Sequence, residues 1–294
     1  MEQTMVARGP QTSTGIVLDV DPALLRSYLD EDLGDPWLDV TTDPVFSEQT
    51  GAAAVVTREP CVVSGIEEAL VLFQLVGAEA TALVRDGDEV PAGARLVDVQ
   101  GPVRALLRGE RTVLNVMARM SGVATLTRRV QTELAKVQPT VKVAATRKTT
   151  PGFRLCEKRA VWHGGGDPHR FGLWDQALIK DNHRSAGGDL AETIRRIRAA
   201  HPDVPLEVEV ETEEEAAIAA REGVAMILVD NQGPATVGRF AEIVHAIAPE
   251  VRIEASGGIT PENAADYAPY ADRVSLGALT RWARSVDIGL DWVD

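Results

Sequence analysis

Arg147, Lys148, His169, Arg170 and Lys180 are the side chains in this sequence best suited to hold an anion. All five fall within residues 146–183, around the triplet Gly164-Gly165-Gly166. The chain has 294 residues and a formal net charge of −14, yet residues 142–184 carry nine Lys/Arg against four Asp/Glu. An arginine presents a planar fork of donors that matches a carboxylate or phosphate edge, and a lysine adds a compact charge, so a cluster with both can grip several anionic groups at once. A positive island in an acidic chain points to a small, multiply anionic ligand.

Two acidic positions and a glycine turn complement the cluster. In residues 206–211 strict alternation places Glu207, Glu209 and Glu211 on one face of a strand. Facing inward, Glu209 with Asp230 from a neighbouring strand could hold Mg²⁺ or oppose a developing positive charge; facing outward, the glutamates would only meet water. Ser256-Gly257-Gly258 follows the apolar run 251–255 and offers backbone N–H groups that suit a phosphate. Gly164-Gly165-Gly166 permits either a close backbone approach or a plain turn.

The elements that must position these residues change character near residue 125. Before it, alternating segments at 53–57, 82–84 and 96–99 and an apolar helix at 66–76 predict an α+β unit. After it, short buried strands are expected at 141–145, 178–180, 206–210, 226–229, 252–255 and 273–276, with helices between several of them. Asp189 with Glu192, Thr212 with Glu215, and Thr260 followed by Pro261 carry the chemistry of helix starts. Repeated β–α units predict a parallel sheet closed wholly or partly into a barrel, whose chemistry lies at the C-terminal strand ends. Those ends read Thr146-Arg147-Lys148, Lys180-Asp181-Asn182, Glu209 to Glu211, Asp230-Asn231, Ser256-Gly257-Gly258 and Gly277-Ala278.

Composition narrows the function class. With 45% hydrophobic residues the chain can bury a large core. Its acidic balance argues against non-specific binding to nucleic acid or anionic membrane. Cys61 and Cys156 lack metal-ligand or CxxC spacing and read as buried fillers in a reducing compartment. The longest apolar stretch, about ten residues at 69–78, is too short to span a bilayer, and residues 1–15 lack a signal-peptide core, so a cytoplasmic location is expected. No GxGxxG or GxxxxGK[ST] motif occurs. Asp86-Gly87-Asp88 resembles a carrier-domain turn but has no lysine at a hairpin tip, which leaves an ordinary turn of the first domain.

The segment Thr146-Arg147-Lys148-Thr149-Thr150-Pro151-Gly152, with Gly164-Gly165-Gly166, His169-Arg170 and Leu178-Ile179-Lys180-Asp181-Asn182-His183, resembles the quinolinate phosphoribosyltransferase family. Asp39-Val40-Thr41-Thr42, Glu110-Arg111-Thr112 and Ser121-Gly122-Val123 upstream are similar to its signatures in order. So are Glu207-Val208-Glu209, Leu228-Val229-Asp230-Asn231, Ser256-Gly257-Gly258 and Leu276-Gly277-Ala278 downstream. The resemblance spans nearly the whole chain. It implies an α/β protein with an N-terminal α/β sandwich over residues 16–121, joined by the C-terminal tail 279–294, and an open-faced, incomplete α/β barrel over 122–278. Residues 1–15, polar and containing Gly and Pro, are expected to form a loose tail.

The same resemblance implies transfer of phosphoribose from phosphoribosyl pyrophosphate (PRPP) to quinolinate with loss of CO₂, in NAD biosynthesis, with Mg²⁺ as cofactor. Arg147, Lys148, His169, Arg170 and Lys180 would hold the quinolinate carboxylates, with Arg111 reaching across from the other subunit of a homodimer or a higher oligomer built from dimers. Lys148, Lys180, Glu209 and Asp230 would form the catalytic set, Glu209 and Asp230 also serving the metal. Ser256, Gly257, Gly258 and Gly277 would receive the 5-phosphate.

Three positions depart from the family pattern: Pro168 before His169-Arg170, the expanded turn at 34–39, and Arg281-Trp282. Pro168 and the bulky Trp162, Trp174 and Trp282 could reshape the acceptor pocket. A paralogue acting on another heteroaromatic acid, including relatives associated with molybdenum transport, and a catalytically inactive binding protein therefore stay open.

Overall fold

The computed structural model describes residues 11–12, 14–183 and 188–293. Of the expected loose tail, residues 1–10 and 13 lie outside these. Thr12 is buried, and Thr14 Oγ1 donates to Asp175 Oδ2 at 2.8 Å.

The first layer is a four-stranded antiparallel sheet in the order β12-β1-β5-β3, formed by β1 (Thr50–Thr57), β3 (Glu79–Ala82), β5 (Arg95–Pro102) and the last strand, β12 (Ile288–Val293). The chain end thus returns to pair with β1, from Ala52↔Val293 to Thr57↔Ile288. Strands β2 (Cys61–Val62) and β4 (Glu89–Val90) form a separate two-stranded pair, and after α1 (Pro22–Leu33) and α2 (Thr42–Val45) the helices α3 (Ile66–Val76) and α4 (Val103–Val137) pack on one another and on the four-stranded sheet. The start of α3 explains Asp86-Gly87-Asp88: Asp86 Oδ1 accepts from the Gly65 and Ile66 amides at 2.7 and 3.0 Å, satisfying donors that the first helical turn leaves open. Helix α4 runs unbroken for 35 residues, and the expected 121/122 domain boundary falls within it.

The second layer is a six-stranded parallel sheet in the order β6-β11-β10-β9-β8-β7, made of β6 (Lys142–Ala144), β7 (Ala177–Ile179), β8 (Leu206–Val210), β9 (Met226–Asp230), β10 (Arg252–Ser256) and β11 (Arg273–Ser275). The first strand in sequence pairs with the last, while β6 and β7 do not pair, so the barrel is open between them. Asp167 lines this gap: it bridges β6 at Ala144 as a one-residue parallel strand, its amide donating to the Val143 carbonyl at 2.8 Å. Val208, Val210, Ile227, Val229, Ile253, Ala255 and Val274 are fully buried, as expected of strands covered on both faces.

Local sequence explains several helix starts. Asp189 accepts from the Glu192 amide at 2.8 Å, and Thr212 with Glu215 closes a capping box. Thr260-Pro261 differs from expectation. The Thr260 amide donates to Asn263 Oδ1 at 2.8 Å, and the chain makes turns and a short 3-10 helix (Ala264–Tyr267) in place of an α-helix. The Asn263 side chain thus closes half of a capping box, and the Ala264 amide donates to the Thr260 carbonyl at 3.0 Å, but no further α-helical turn follows. Gly164 and Gly166 prove to be packing residues. A Cβ on Gly164 would lie 2.5 Å from the Ala124 carbonyl oxygen, and one on Gly166 2.7 Å from Thr127 Cγ2, both on α4.

Candidate active site

A cavity of about 440 Å³ opens at the C-terminal strand ends of the barrel. It brings together Thr146, Arg147 and Lys148 after β6, His169 and Arg170 after the Asp167 bridge, and Lys180 after β7. Asp230 and Asn231 follow from β9, Glu254 and Ser256-Gly257-Gly258 from β10, and Ser275 from β11. Leu178 and Leu228 supply apolar wall.

Not every cation of the positive island reaches this cavity. Helix α5 (Arg154–His163) buries Glu157, Lys158 and Arg159 completely. Lys158 donates to the Pro168 carbonyl, and Arg159 pairs with Glu67 and Glu68 on α3 at 2.6 and 2.5 Å. The Arg159 charge is tolerated at this depth because it is paired, whereas burial disfavours the charge on Lys158, and neither side chain lines the cavity. Among the described residues of the island, the cations Arg147, Lys148, Arg170 and Lys180 line it.

Each of the other expected residues has a definite place. Arg147 Nε is buried without a hydrogen-bond partner among the described residues, a donor that a ligand oxygen would satisfy. Glu209 is buried on β8 and accepts from Lys180 Nζ, so it meets the cavity through that lysine. Burial and then the Glu209 charge push the Asp230 carboxyl above its usual range, against Lys180 and Lys148. Gly277 lies beneath the Lys148 side chain, where a Cβ would be 3.1 Å from Lys148 Cδ. Gly257 and Gly258 both have positive φ, and a Cβ on Gly257 would meet Asn231 Oδ1 at 2.4 Å, so only glycine fits. Arg111 stands on α4 with its side chain 65% exposed, near Glu110 at 3.8 Å and away from this chain's own cavity. Trp162, Trp174 and Trp282 are exposed and do not line the cavity, which removes them as shapers of it within the chain.

Pro168 acts through its carbonyl and its neighbour. The His169 backbone sits at φ 56, and its amide donates to Asp167 Oδ1 at 2.7 Å. His169 Nδ1 accepts from the Arg170 amide at 2.6 Å, which leaves the ring proton on Nε2, 3.3 Å from Glu254 Oε2. Burial keeps this imidazole from protonating, so its pKa lies below the usual value.

Beneath the cavity lies a buried network that alternation in β8 foreshadows in part. Glu207 points into the barrel, where Gln176 Nε2 donates to it at 2.7 Å and Arg273 Nη2 at 3.1 Å. Arg273 also binds Glu254 through Nε and Asp167 Oδ2 through Nη1 at 3.2 Å. Burial, then the Glu254 charge, raises Glu207. Burial opposes the charge on Glu254 as well, but Arg273 and His169 outweigh it and hold that carboxyl far below the usual range. Glu254 and Arg273 were absent from the sequence-derived set. The signal for Glu254 is the alternation of Arg252-Ile253-Glu254-Ala255, which puts it on the lumen face opposite Ile253 and Ala255.

No helix of the described residues is long and apolar enough to cross a membrane. Residues 39–121 match the N-terminal domain of quinolinate phosphoribosyl transferase, and residues 123–291 its C-terminal domain. The chain is 41% identical over 275 residues to nicotinate-nucleotide pyrophosphorylase (carboxylating) of Mycobacterium leprae, covering 91% of this chain and 95% of that protein. It is 36% identical over 271 residues to the human protein of the same name, covering 91% and 90%. Among solved structures, the nicotinate-nucleotide pyrophosphorylase of Francisella tularensis superposes with a TM-score of 0.86 at 30% identity, covering 94% of this chain and 98% of the other.

Proposed function

The chain belongs to the quinolinate phosphoribosyl transferase family, and on that premise we propose that the cavity binds quinolinate and PRPP and yields nicotinate mononucleotide, pyrophosphate and CO₂. It is an enzyme, a pentosyltransferase. The observation that carries the reading is the convergence of Arg147, Lys148, Arg170 and Lys180 with the Ser256-Gly257-Gly258 turn on one cavity. A dicarboxylate and a phosphate ester then have separate, complementary ends of the same site.

The chain's residues serve the reaction mainly by position and charge. Arg147 and Arg170, with Lys180, grip the acceptor carboxylates and aim the ring nitrogen at the ribose C1′. As the bond from C1′ to pyrophosphate breaks, positive charge grows on the ribose, and Asp230 and Glu209 oppose it while the nitrogen–C1′ bond forms. The ring nitrogen becomes cationic, so the electron pair left at C2 when CO₂ departs is stabilised until that carbon takes up a proton. Lys148, exposed above Gly277, offsets phosphate charge.

The donor set fits Mg²⁺. Glu209 and Asp230 are carboxylates on adjacent strands, and their repulsion contributes to the raised Asp230, a cost that a hard divalent cation relieves. When bound, Mg²⁺ supplies charge neutralisation for the departing pyrophosphate. The exposed Arg111 and the open barrel mouth favour a homodimer in which Arg111 completes the partner's site.

The test is incubation with PRPP, Mg²⁺ and a panel of pyridine carboxylates. Release of CO₂ from quinolinate, with nicotinate mononucleotide formed, supports the assignment. Turnover of nicotinate alone, with none of quinolinate, overturns it.

A further inference from the structure

We propose that Arg273 is a positioning residue that offsets negative charge in the floor of the acceptor pocket and thereby lets the pocket accept a dicarboxylate. The proposal rests on the functional reading above and concerns a residue that the cavity wall itself hides.

Arg273 stands on β11 with 3% of its surface exposed, and its side chain is directed into the barrel among charged groups from three other elements. Its guanidinium meets Glu254 on β10, Glu207 on β8 at 3.1 Å and Asp167 at the barrel gap at 3.2 Å, and it lies 3.2 Å from His169 Nε2. Since His169 Nδ1 accepts from the Arg170 amide, Nε2 carries the proton. The imidazole then donates to Glu254, and its approach to Arg273 is a close contact between two donors. One cation therefore serves three carboxylates, two of them, Glu207 and Glu254, wholly buried.

The position of this cluster gives it a role in recognition. Glu254, His169 and Ser275 form cavity wall directly above it, beside the Arg147 and Arg170 that receive the acceptor. A substrate with two carboxylates entering here faces the field of the acids below, and in a buried site that field is weakly screened. Arg273 offsets part of it and keeps Glu254 in place by direct contact, and Glu254 in turn receives His169 Nε2 at 3.3 Å. The grouping of His169, Glu207 and Glu254, with ligand atoms within 4.8 Å of one another, has the spacing of a metal site. The guanidinium already fills the cation's place there.

Steady-state kinetics with quinolinate and PRPP varied separately tests the proposal, with circular dichroism to monitor folding. Arg273→Met should raise the KM for quinolinate about tenfold or more while the KM for PRPP changes by less than about threefold. Arg273→Lys, which keeps the charge, should recover much of the loss. Arg273→Met combined with Glu254→Gln, which removes one acid along with the cation, should also recover acceptor affinity. An unchanged quinolinate KM in Arg273→Met, a parallel rise for both substrates, or a double variant no better than the single would each overturn the proposal.

If Arg273→Met does not fold, Glu254→Gln alone decides: it should lower the quinolinate KM severalfold, and no fall overturns the idea. A wild-type chain that binds quinolinate without converting it fails the functional reading instead, and the same variants then report through quinolinate binding measured by calorimetry.

Discussion

Thr280 Oγ1 donates to the Lys148 carbonyl at 2.7 Å, so a residue of the C-terminal segment holds the end of β6 from outside the barrel. The Thr280 carbonyl accepts from Arg119 on α4, and Arg119 Nη2 also donates to Glu157 Oε1 at 2.8 Å. Glu157 in turn takes the Thr150 amide at 2.9 Å. The stretch that carries Arg147 and Lys148 is thus fixed on both sides. Thr280→Val keeps the shape and deletes the donor, and with a hydrogen bond worth about 1 kcal/mol it should lower kcat/KM about fivefold. Kinetics equal to wild type would mean that β6 needs no such anchor.

Arg147 is expected to matter far more. Its buried Nε has no hydrogen-bond partner among the described residues, so an acceptor carboxylate is its natural counterpart. Leaving that carboxylate unpaired in a closed site costs on the order of 2 to 5 kcal/mol, so Arg147→Ala should lower catalytic efficiency by roughly a hundredfold or more. A near-wild-type value would place the acceptor elsewhere.

Subunit mixing examines the shared site. Arg111→Ala and Lys180→Ala should each be inactive alone. Mixed and allowed to exchange, they should recover partial activity, because one of the two hybrid sites then carries both native residues. Verified heterodimers without activity, or a fully active monomer at assay concentration, would refute action of Arg111 across the interface.

Metal removal gives a direct readout. Turnover should be lost in excess chelator and return when Mg²⁺ is added back, since the nearby lysines only partly offset the charges of Glu209, Asp230 and the pyrophosphate. Full activity in chelator would refute the Mg²⁺ proposal.

Lys158 makes stability depend on pH. Burial pushes its pKa from the usual 10.5 down to about 7, with Asp167 and Asp175 opposing the shift and Arg154 and Arg170 adding to it. The folded protein therefore releases this proton at lower pH than the unfolded chain does. Between about pH 7 and 10.5 the unfolded chain holds the extra proton, so stability rises with pH there, by up to about 1.4 kcal/mol per pH unit from this group. Lys158→Met should flatten that slope, as measured by chemical denaturation at pH 7, 8 and 9. Equal slopes in both proteins would show that the ammonium is not strained by its burial.

Strand periodicity and end chemistry made much of the scaffold legible in the sequence. The alternation at Glu207 and Glu209, the capping box at Thr212 and the glycines after β10 depend on neighbours a few residues away, so local sequence suffices to read them. The fate of the charges was decided elsewhere. Lys158 and Arg159 count toward the positive island, yet both are buried with Glu157, and Arg119 and Glu68, the partners of Glu157 and Arg159, lie 38 and 91 residues away. Arg273 likewise gains its meaning only where β11 closes beside β10 and brings Glu254 and Glu207 to one guanidinium. A charge can be buried only against a partner in space, and that pairing leaves no mark on the spacing of residues along the chain. The sequence alone therefore determined which groups could hold anions. Only the tertiary structure decided which of those groups face the ligand and which are spent holding the fold beneath it.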